Sequence, residues 1–151
     1  MNAETVIKYE EGFREKPYVC TAGMPTIGYG RVIGQADDEL PDIKTTKEAE
    51  SAFVEKEVLR LQHKLSGIYP AAWSNCNEAR QAILVSMAYQ LGLVGLSKFR
   101  RMWAALGESN FKEASRQALD SLWAKQTPAR AKRHAEQLES GQLHKYYEDK
   151  S

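Results

Sequence analysis

The chain of 151 residues has the length of one domain and can bury a sizeable core without disulfides. Apolar residues make up 42% of it and charged residues 27%, which excludes an intrinsically disordered or fibrous protein. The uncharged apolar run Ala82–Val85 is too short to span a bilayer. Charges in the first fourteen positions, Glu4 and Lys8 among them, leave no apolar segment for a signal peptide. We therefore expect a protein made in the cytoplasm, without stable membrane insertion.

The first part of the chain predicts a short helix followed by a small sheet. Val6, Tyr9 and Phe13 recur at helical spacing, and Gly12 ends the predicted helix. Glycine and proline then alternate with tyrosine, valine, threonine and isoleucine, a composition typical of short strands and tight turns. The predicted segments are a strand Pro17–Cys20, a turn Thr21–Pro25, a strand Thr26–Val32 and a polar loop Gln35–Lys44.

A long helix is predicted next, over about residues 45–66. Thr45-x-x-Glu48 fits a capping box, in which the hydroxyl and the carboxylate satisfy the first free amides of a helix. Behind it, apolar residues recur on one helical face, and Gly67 suits the end of the helix. These apolar residues are Val54, Val58, Leu61 and Leu65. About 20 residues make a helix about 30 Å long, enough to join a small sheet lobe to a helical remainder.

From about residue 67 the pattern predicts helices to the end of the chain. The first predicted helix begins at Asn75 or Asn77 and ends at Gly92, and the second runs from Leu96 to Gly107. The third begins at Ser109 or Asn110 and includes Trp123, and the fourth begins at Thr127-Pro128 and ends at Gly141. The fold class is therefore α+β and mostly helical. We expect one domain, with a small antiparallel sheet lobe over about residues 13–44 and a helical lobe over about 67–151.

Charge and cysteine usage narrow the partners only slightly. The net charge is +1, but nine basic residues face three acidic ones between Lys98 and Arg133. That surplus suits an anionic polymer, either nucleic acid or cell-wall glycan with acidic peptides, although a solvated helical face is the simpler interpretation. Cys20 and Cys76 have neither metal-ligand nor C-x-x-C spacing. The three histidines are scattered, so no metal site is expected.

Three side chains near the first helix suit the hydrolysis of glycosidic bonds. Glu11 ends that helix, and Cys20 and Thr26 follow nine and fifteen residues later. A hairpin folding back on the helix end brings a carboxylate, a thiol and a hydroxyl around one groove. The chemistry needs an acid to protonate the leaving oxygen and an opposing group to stabilise a cation or activate water. In isolation, a surface glutamate, a small buried cysteine and a strand threonine explain the same triple.

Longer motifs surround these three residues. They are Glu11-Gly12-Phe13-Arg14, Lys16-x-Tyr18, Cys20-Thr21-x-Gly23, Thr26-Ile27-Gly28-Tyr29-Gly30, Tyr89-Gln90-Leu91-Gly92 and Trp123-x-x-Gln126-Thr127-Pro128-x-Arg130-Ala131. The series resembles phage lysozymes of the T-even type, the endolysins of glycoside hydrolase family 24. The family pattern is Glu, eight residues, Asp or Cys, five residues, Thr, and this chain carries its cysteine form. The matches extend from about residue 9 to residue 133.

The resemblance implies a lysozyme-like two-lobed fold, with the N-terminal helix (residues 1–12) packing with the C-terminal lobe. It implies a muramidase that cleaves the β-1,4 bond between N-acetylmuramic acid and N-acetylglucosamine in peptidoglycan, without cofactor or metal. Glu11 is then the general acid, Thr26 and Cys20 position or activate water, and Arg130 holds the Glu11 carboxylate. The implied substrate-contacting residues are Gly30, Val32, Tyr89, Gln90, Gln117 and Trp123.

The same resemblance implies a biological setting. The partner is peptidoglycan, with no nucleic acid, and a monomer is expected. The enzyme waits in the host cytoplasm until a holin opens the inner membrane, reaches the periplasm and lyses the host at the end of the phage cycle.

Two departures from the family pattern leave questions open. A thiol with an ordinary pKa of about 8.5 is mostly neutral at pH 7. Cys20 therefore has a lowered pKa, acts as a weak base or polar support, or permits a covalent intermediate. In an oxidising compartment, pairing with Cys76 would silence the enzyme. Arg31 stands where the family commonly has histidine, and we expect it to present a fixed cation near the groove mouth.

Two rival functions remain at this point. One is a lytic transglycosylase, in which the sugar's own 6-hydroxyl replaces water, and Thr26 weighs against it. The other is a glycan-binding or partner-binding module that no longer turns over, which the cysteine at position 20 motivates.

Overall fold

The computed structural model describes residues 2–148. The elements in chain order are α1 (Asn2–Glu11), β1 (Arg14–Val19), β2 (Pro25–Gly28), β3 (Arg31–Val32), α2 (Lys47–Ile68), α3 (Pro70–Asn75), α4 (Glu78–Ser97), α5 (Arg100–Gly107), α6 (Phe111–Leu119), α7 (Leu122–Gln126), α8 (Pro128–Ser140) and α9 (Lys145–Glu148). The sheet has three antiparallel strands in the order β1-β2-β3. This architecture confirms the α+β, mostly helical fold with a small antiparallel sheet.

The sheet contains one more turn than the sequence pattern predicts. The segment Thr26–Val32 is two strands rather than one, because Thr26 pairs with Val32 and Ile27 with Arg31 across a tight connection. Gly28 and Gly30 in that connection have φ values of 65° and 82°, a conformation that favours glycine. The turn returns the chain toward the end of α1.

The long helix α2 is present, but its cap differs from the predicted one. Thr46, not Thr45, is the N-cap, and its hydroxyl accepts a hydrogen bond from the amide of Ala49. Thr45 instead donates its hydroxyl to Glu50 Oε2 at 2.6 Å. Gly67 does not end the helix, which continues to Ile68. The predicted inner face is buried as expected, at Val54, Val58, Leu61 and Leu65.

The remaining helices are more numerous than predicted. Gly92 breaks α4 with φ 76° and ψ 163°, as expected, but Leu96 still belongs to α4 and α5 begins only at Arg100. The stretch through Trp123 is also two helices, because Ser121 caps α7 and accepts from the amide of Ala124. Of the alternative caps, Asn77 and Asn110 are the residues used. The helix that starts at Pro128 ends as predicted at Gly141, with φ 71°.

The core lies between the helices, and α1 packs against both α4 and α2. Within residues 2–148, no single helix is long and apolar enough to cross a membrane. Taken together, α4 and α5 pass that test of length and composition, but the pair bends by 100° at its break. The apolar residues of α4 are largely buried inside the protein.

Candidate active site

Glu11 is the last residue of α1, and its carboxylate is held from two sides. Arg130 Nη1 on α8 donates to Glu11 Oε2 at 2.6 Å, and the two side chains are 9% and 19% exposed. On the other side lies the backbone of Gly30, where a Cβ atom would stand only 2.5 Å from Glu11 Oε1. Glycine at this position therefore lets the hairpin turn approach the carboxylate. The structure thus brings together Glu11, Arg130 and Gly30 of the predicted site.

Cys20 and Thr26 lie on the hairpin that faces the end of α1. Thr26 is buried in β2 and donates its hydroxyl to the carbonyl of Met24 at 2.8 Å. Cys20 follows β1 and is partly exposed. A hydrogen bond from Thr26 lowers the pKa of the Cys20 thiol below its ordinary value; burial opposes it, and hydrogen bonds from backbone amides lower the pKa further. Because a hydroxyl carries one proton, donation to a Cys20 thiolate requires Thr26 to turn away from Met24.

Tyr18 connects the two halves of this site. It pairs with Thr26 across the β1–β2 ladder, and the Arg14 guanidinium stands 4.3 Å from the centre of its ring. Burial raises the pKa of Tyr18, and the negative charge of Glu11 and the ionised form of Cys20 raise it further. Both groups therefore act electrostatically on one phenol. The motif Lys16-x-Tyr18 contains this residue, but the sequence pattern predicts no role for it in the site.

Arg31, expected as a fixed cation near the groove mouth, is paired with a buried carboxylate. Its guanidinium donates Nε and Nη2 to the two carboxylate oxygens of Glu50, at 2.9 and 3.0 Å. Glu50 is buried, accepts from Thr45 as well, and lies so close to Gly28 that a Cβ there would collide with it. The hydrogen bonds from Arg31 lower the pKa of Glu50, although burial opposes them. The expected cation is instead a neutralised clamp between the hairpin and α2.

Two aromatic hydrogen bonds place the predicted α4 residues. The Tyr89 hydroxyl donates to the carbonyl of Tyr29 at 2.7 Å, which joins α4 to the hairpin turn. Burial raises the pKa of Tyr89, so it remains a hydrogen-bond donor. Trp123 Nε1 donates to Gln90 Oε1 at 2.9 Å, which joins α7 to α4. Val32 is 53% exposed at the end of the sheet.

Gln117 lies apart from Glu11, Cys20 and Thr26. It lines a groove of about 590 Å³ formed by α5, α6, α7 and the end of α4, together with Leu91, Phe99 and Trp123. None of the three predicted catalytic residues borders that groove. The side-chain Nε2 of Gln117 donates to Glu113 Oε1 on the same helix, α6. Trp123 connects this groove to α4, because it borders the groove and donates a hydrogen bond to Gln90.

A buried polar cluster behind Glu11 was missed by the sequence analysis. Glu10 accepts two hydrogen bonds from Arg133, at 2.8 and 2.7 Å, and one from the Tyr147 hydroxyl. Burial raises the pKa of Glu10, but these hydrogen bonds and the charges of Arg130 and Arg133 outweigh it and hold the pKa below its usual range. Tyr147 is fully buried. An amphipathic pattern marks such residues as polar, and nothing in the pattern marks them as buried partners.

The thiols and histidines do not form further sites in the part of the chain that the structure describes. Cys20 and Cys76 are both free, and burial raises the pKa of Cys76 to about 11. Over residues 2–148, no three His, Cys, Asp or Glu side chains come together in a way that suits a metal ion.

Comparison with known proteins identifies the family. A model of the family described as Phage lysozyme matches residues 8–139, most of the chain. The chain is 30% identical, over 97% of its length, to the pre-baseplate central spike protein Gp5 of Enterobacteria phage T4, and it spans 29% of that protein. Two relatives from Dictyostelium discoideum, probable T4-type lysozymes 2 and 1, are 28% and 26% identical, with 93% of this chain and 95% of each relative covered. The chain therefore belongs to the phage lysozyme family.

Proposed function

We propose that the chain is a muramidase that hydrolyses the β-1,4 bond between N-acetylmuramic acid and N-acetylglucosamine in peptidoglycan. The family and its T4-type lysozyme relatives support a glycoside hydrolase acting on this polymer. The observation that carries the finer proposal is the setting of Glu11. Its carboxylate is partly exposed, is held by Arg130 at 2.6 Å, and is approached closely by Gly30 in the β2–β3 turn. Thr26 lies in β2, which leads into this turn, and Cys20 follows the neighbouring strand β1.

The proposed reaction divides the work between the two halves of the site. Glu11, in its protonated form, gives its proton to the leaving glycosidic oxygen. Thr26 and Cys20 position or activate a water molecule, which attacks the sugar carbon from the opposite face and inverts its configuration. The lowered pKa of Cys20 supports a thiolate that accepts the proton of this water. Arg130 keeps the Glu11 carboxyl in one orientation between turnovers.

The direct test replaces the proton donor without changing its shape. Glu11→Gln is expected to lower the rate of clearing of chloroform-permeabilised Gram-negative cells by about a thousandfold or more, because general acid catalysis and charge are both lost. Glu15→Gln, which alters an exposed carboxylate of β1, serves as the matched control and is expected to clear cells normally. Circular dichroism checks that both variants fold. A folded Glu11→Gln protein with normal activity removes Glu11 from the acid role.

Analysis of the products separates hydrolysis from its rivals. We expect muropeptides with reducing ends in mass spectra of digested peptidoglycan. Products with 1,6-anhydro ends would instead identify a lytic transglycosylase. Wild-type protein that binds peptidoglycan but clears no cells, with or without reductant, would identify a glycan-binding module. Loss of clearing only under oxidising conditions would point to a Cys20 thiol that must stay reduced.

We further propose that the protein acts as an endolysin at the end of a phage cycle, as a monomer that meets the cell wall through a membrane opened by a holin. Expression in a bacterial host with and without a co-expressed holin tests this route. Lysis is expected only when both proteins are present. Lysis by this chain alone would contradict holin-dependent access.

A further inference from the structure

Among the described residues, the guanidinium of Arg130 is oriented by hydrogen bonds to two residues. Besides its bond to Glu11, it donates Nη2 to Ser86 Oγ at 3.0 Å and to the Ser86 carbonyl at 3.3 Å. Its Nε is buried and has no hydrogen-bond partner within residues 2–148. The position of the cation against Glu11 therefore depends on Ser86.

The Ser86 hydroxyl also lies within hydrogen-bond distance of a histidine. Ser86 is fully buried, and its Oγ lies 2.8 Å from Nε2 of His134, which is also fully buried. Oγ accepts from Arg130, which is a donor only, so the single hydroxyl proton is free to point at His134. For that bond to form, Nε2 must carry no proton and must accept.

The other ring nitrogen then has a determined role as well. Nδ1 of His134 lies 3.1 Å from the Tyr147 hydroxyl oxygen, and the Tyr147 hydroxyl donates its hydrogen bond to Glu10 Oε2. Nδ1 therefore carries the proton and donates to Tyr147. Every bond in the series points the same way: Arg130 donates to Ser86, Ser86 to His134, His134 to Tyr147 and Tyr147 to Glu10. A chain of this kind runs from a cation to an anion, and each bond polarises the next.

The surrounding charges keep this arrangement in one state. Burial lowers the pKa of His134 well below its usual range, and the positive charges of Arg130, Arg133 and His144 lower it further. The carboxylate that faces this group through Tyr147 is Glu10, which is itself paired with Arg133. His134 is thus neutral at neutral pH, and its Nε2 lone pair stays available to Ser86.

We propose that His134 is a positioning residue for the proton donor: its unprotonated Nε2 holds the Ser86 hydroxyl in the orientation that accepts from Arg130, which fixes the guanidinium against Glu11. The proposal rests on the proposed function in one respect, the role of Glu11 as general acid. The alternative is that His134 only satisfies buried polar groups and contributes to stability.

Two substitutions of His134 separate these roles. Glutamine places its amide oxygen near the position of Nε2 and still accepts from Ser86, whereas asparagine reaches only as far as Nδ1 and leaves the Ser86 hydroxyl without an acceptor. Both introduce a neutral amide in the same buried place. Ser86→Ala is expected to act like His134→Asn, because it removes the hydroxyl that accepts a hydrogen bond from Arg130.

The control variant removes a comparable buried hydroxyl outside the chain of bonds. Ser115 is buried and donates to the carbonyl of Ala135 on α8 at 2.8 Å, so Ser115→Ala loses one buried hydrogen bond beside the same helix. We expect Ser115→Ala to lower the free energy of unfolding without changing the shape of the pH–activity profile.

For folded protein and soluble glycan substrate, we expect His134→Asn to lower kcat on the order of tenfold with KM unchanged, because the acid is misplaced rather than the substrate. His134→Gln restores kcat to within about twofold of the wild type. Equal loss of kcat in both variants, in step with the loss of unfolding free energy, overturns the proposal.

A measurement without activity keeps the two proposals apart. In the ¹⁵N NMR spectrum of histidine-labelled protein at neutral pH, His134 is expected as the Nδ1-protonated neutral tautomer, and Ser86→Ala is expected to shift its Nε2 signal. An Nε2-protonated ring or an imidazolium overturns the inference even if the enzyme is fully active. Inactive wild-type protein, or active Glu11→Gln, contradicts the proposed function whatever the spectrum shows.

Discussion

The two halves of the site are held by different kinds of contact. Glu11 is held by Arg130, 119 residues away in the chain, and Arg130 in turn depends on Ser86, 44 residues from it. Cys20 and Thr26 are held mainly by their own hairpin, because both bond the carbonyl of Met24. The proposed proton donor therefore needs the complete fold, whereas the opposing half is organised by one local turn. Substitutions at the two halves should differ in the same way.

The largest effect is expected where a partly buried charge loses its distant partner. Arg130→Met leaves the Glu11 carboxylate without its counter-ion and Ser86 without its donor. We expect the free energy of unfolding to fall by about 3–5 kcal/mol, as measured by urea denaturation. Arg116→Met, which breaks an exposed pair with Glu113, is the control and should leave the denaturation midpoint unchanged. Equal effects from the two substitutions would show that the Glu11 half is not specially dependent on the fold.

The clamp between the hairpin and α2 predicts a smaller effect that depends on pH. Glu50→Gln weakens the bonds to Arg31 and Thr45 and is expected to lower the free energy of unfolding by about 1–3 kcal/mol at neutral pH. The pKa of Glu50 is lowered in the folded state, so its contribution is present above the unfolded value of about 4.3 and is lost as pH falls through the folded pKa.

The sign of this dependence can be checked by urea denaturation across the acidic range. Below about pH 4.3 the wild type should lose stability more steeply than Glu50→Gln, so the two curves converge. Glu55→Gln, on the exposed face of α2, should follow the wild type throughout. Parallel curves for the wild type and Glu50→Gln would contradict the lowered pKa of Glu50.

At the local half of the site, activity should change more than stability. Cys20→Asp supplies an anion that persists at about pH 6, so we expect clearing of cells there to be several-fold faster than with the wild type, whose thiolate fraction falls as pH is lowered. The difference should shrink as pH rises through the lowered pKa of Cys20. Cys20→Ser is the neutral control and should gain nothing at low pH. Identical profiles for serine and cysteine would show that no anion is used at this position.

The smallest expected effect is a difference in the rate at which the two thiols react with an alkylating reagent. Cys20 is partly exposed with a lowered pKa, whereas Cys76 is buried with a pKa raised to about 11. At about pH 8, iodoacetamide should modify Cys20 first and reach Cys76 only after unfolding, because the thiolate is the reactive form. Peptide mass spectrometry reports the order. Faster modification of Cys76 would place the exposed, acidified thiol at the wrong position.

Patterns that depend on neighbouring residues predicted much of the fold. The apolar face of α2 and the end of α8 at Gly141 follow from helical periodicity and from the conformation that glycine favours. The same reasoning missed the turn between β2 and β3, because alternation over Thr26–Val32 reads as one strand although Gly28 and Gly30 were the signal for a turn. The cap of α2 was also predicted at Thr45, because Glu48 completes a capping box with Thr45, whereas the structure caps the helix with Thr46.

By itself, the sequence determined the order of the helices and strands, the family motifs and the spacing of Glu11, Cys20 and Thr26, since these are properties of adjacent residues. Only the tertiary structure decided that Arg31 is neutralised by Glu50, and that His134 and Ser86 stand behind the carboxylate of Glu11. The physical reason is that burial and hydrogen-bond partnership belong to pairs of residues far apart in the chain. The sequence of a helix does not show whether a histidine within it is exposed to water or buried behind an active site.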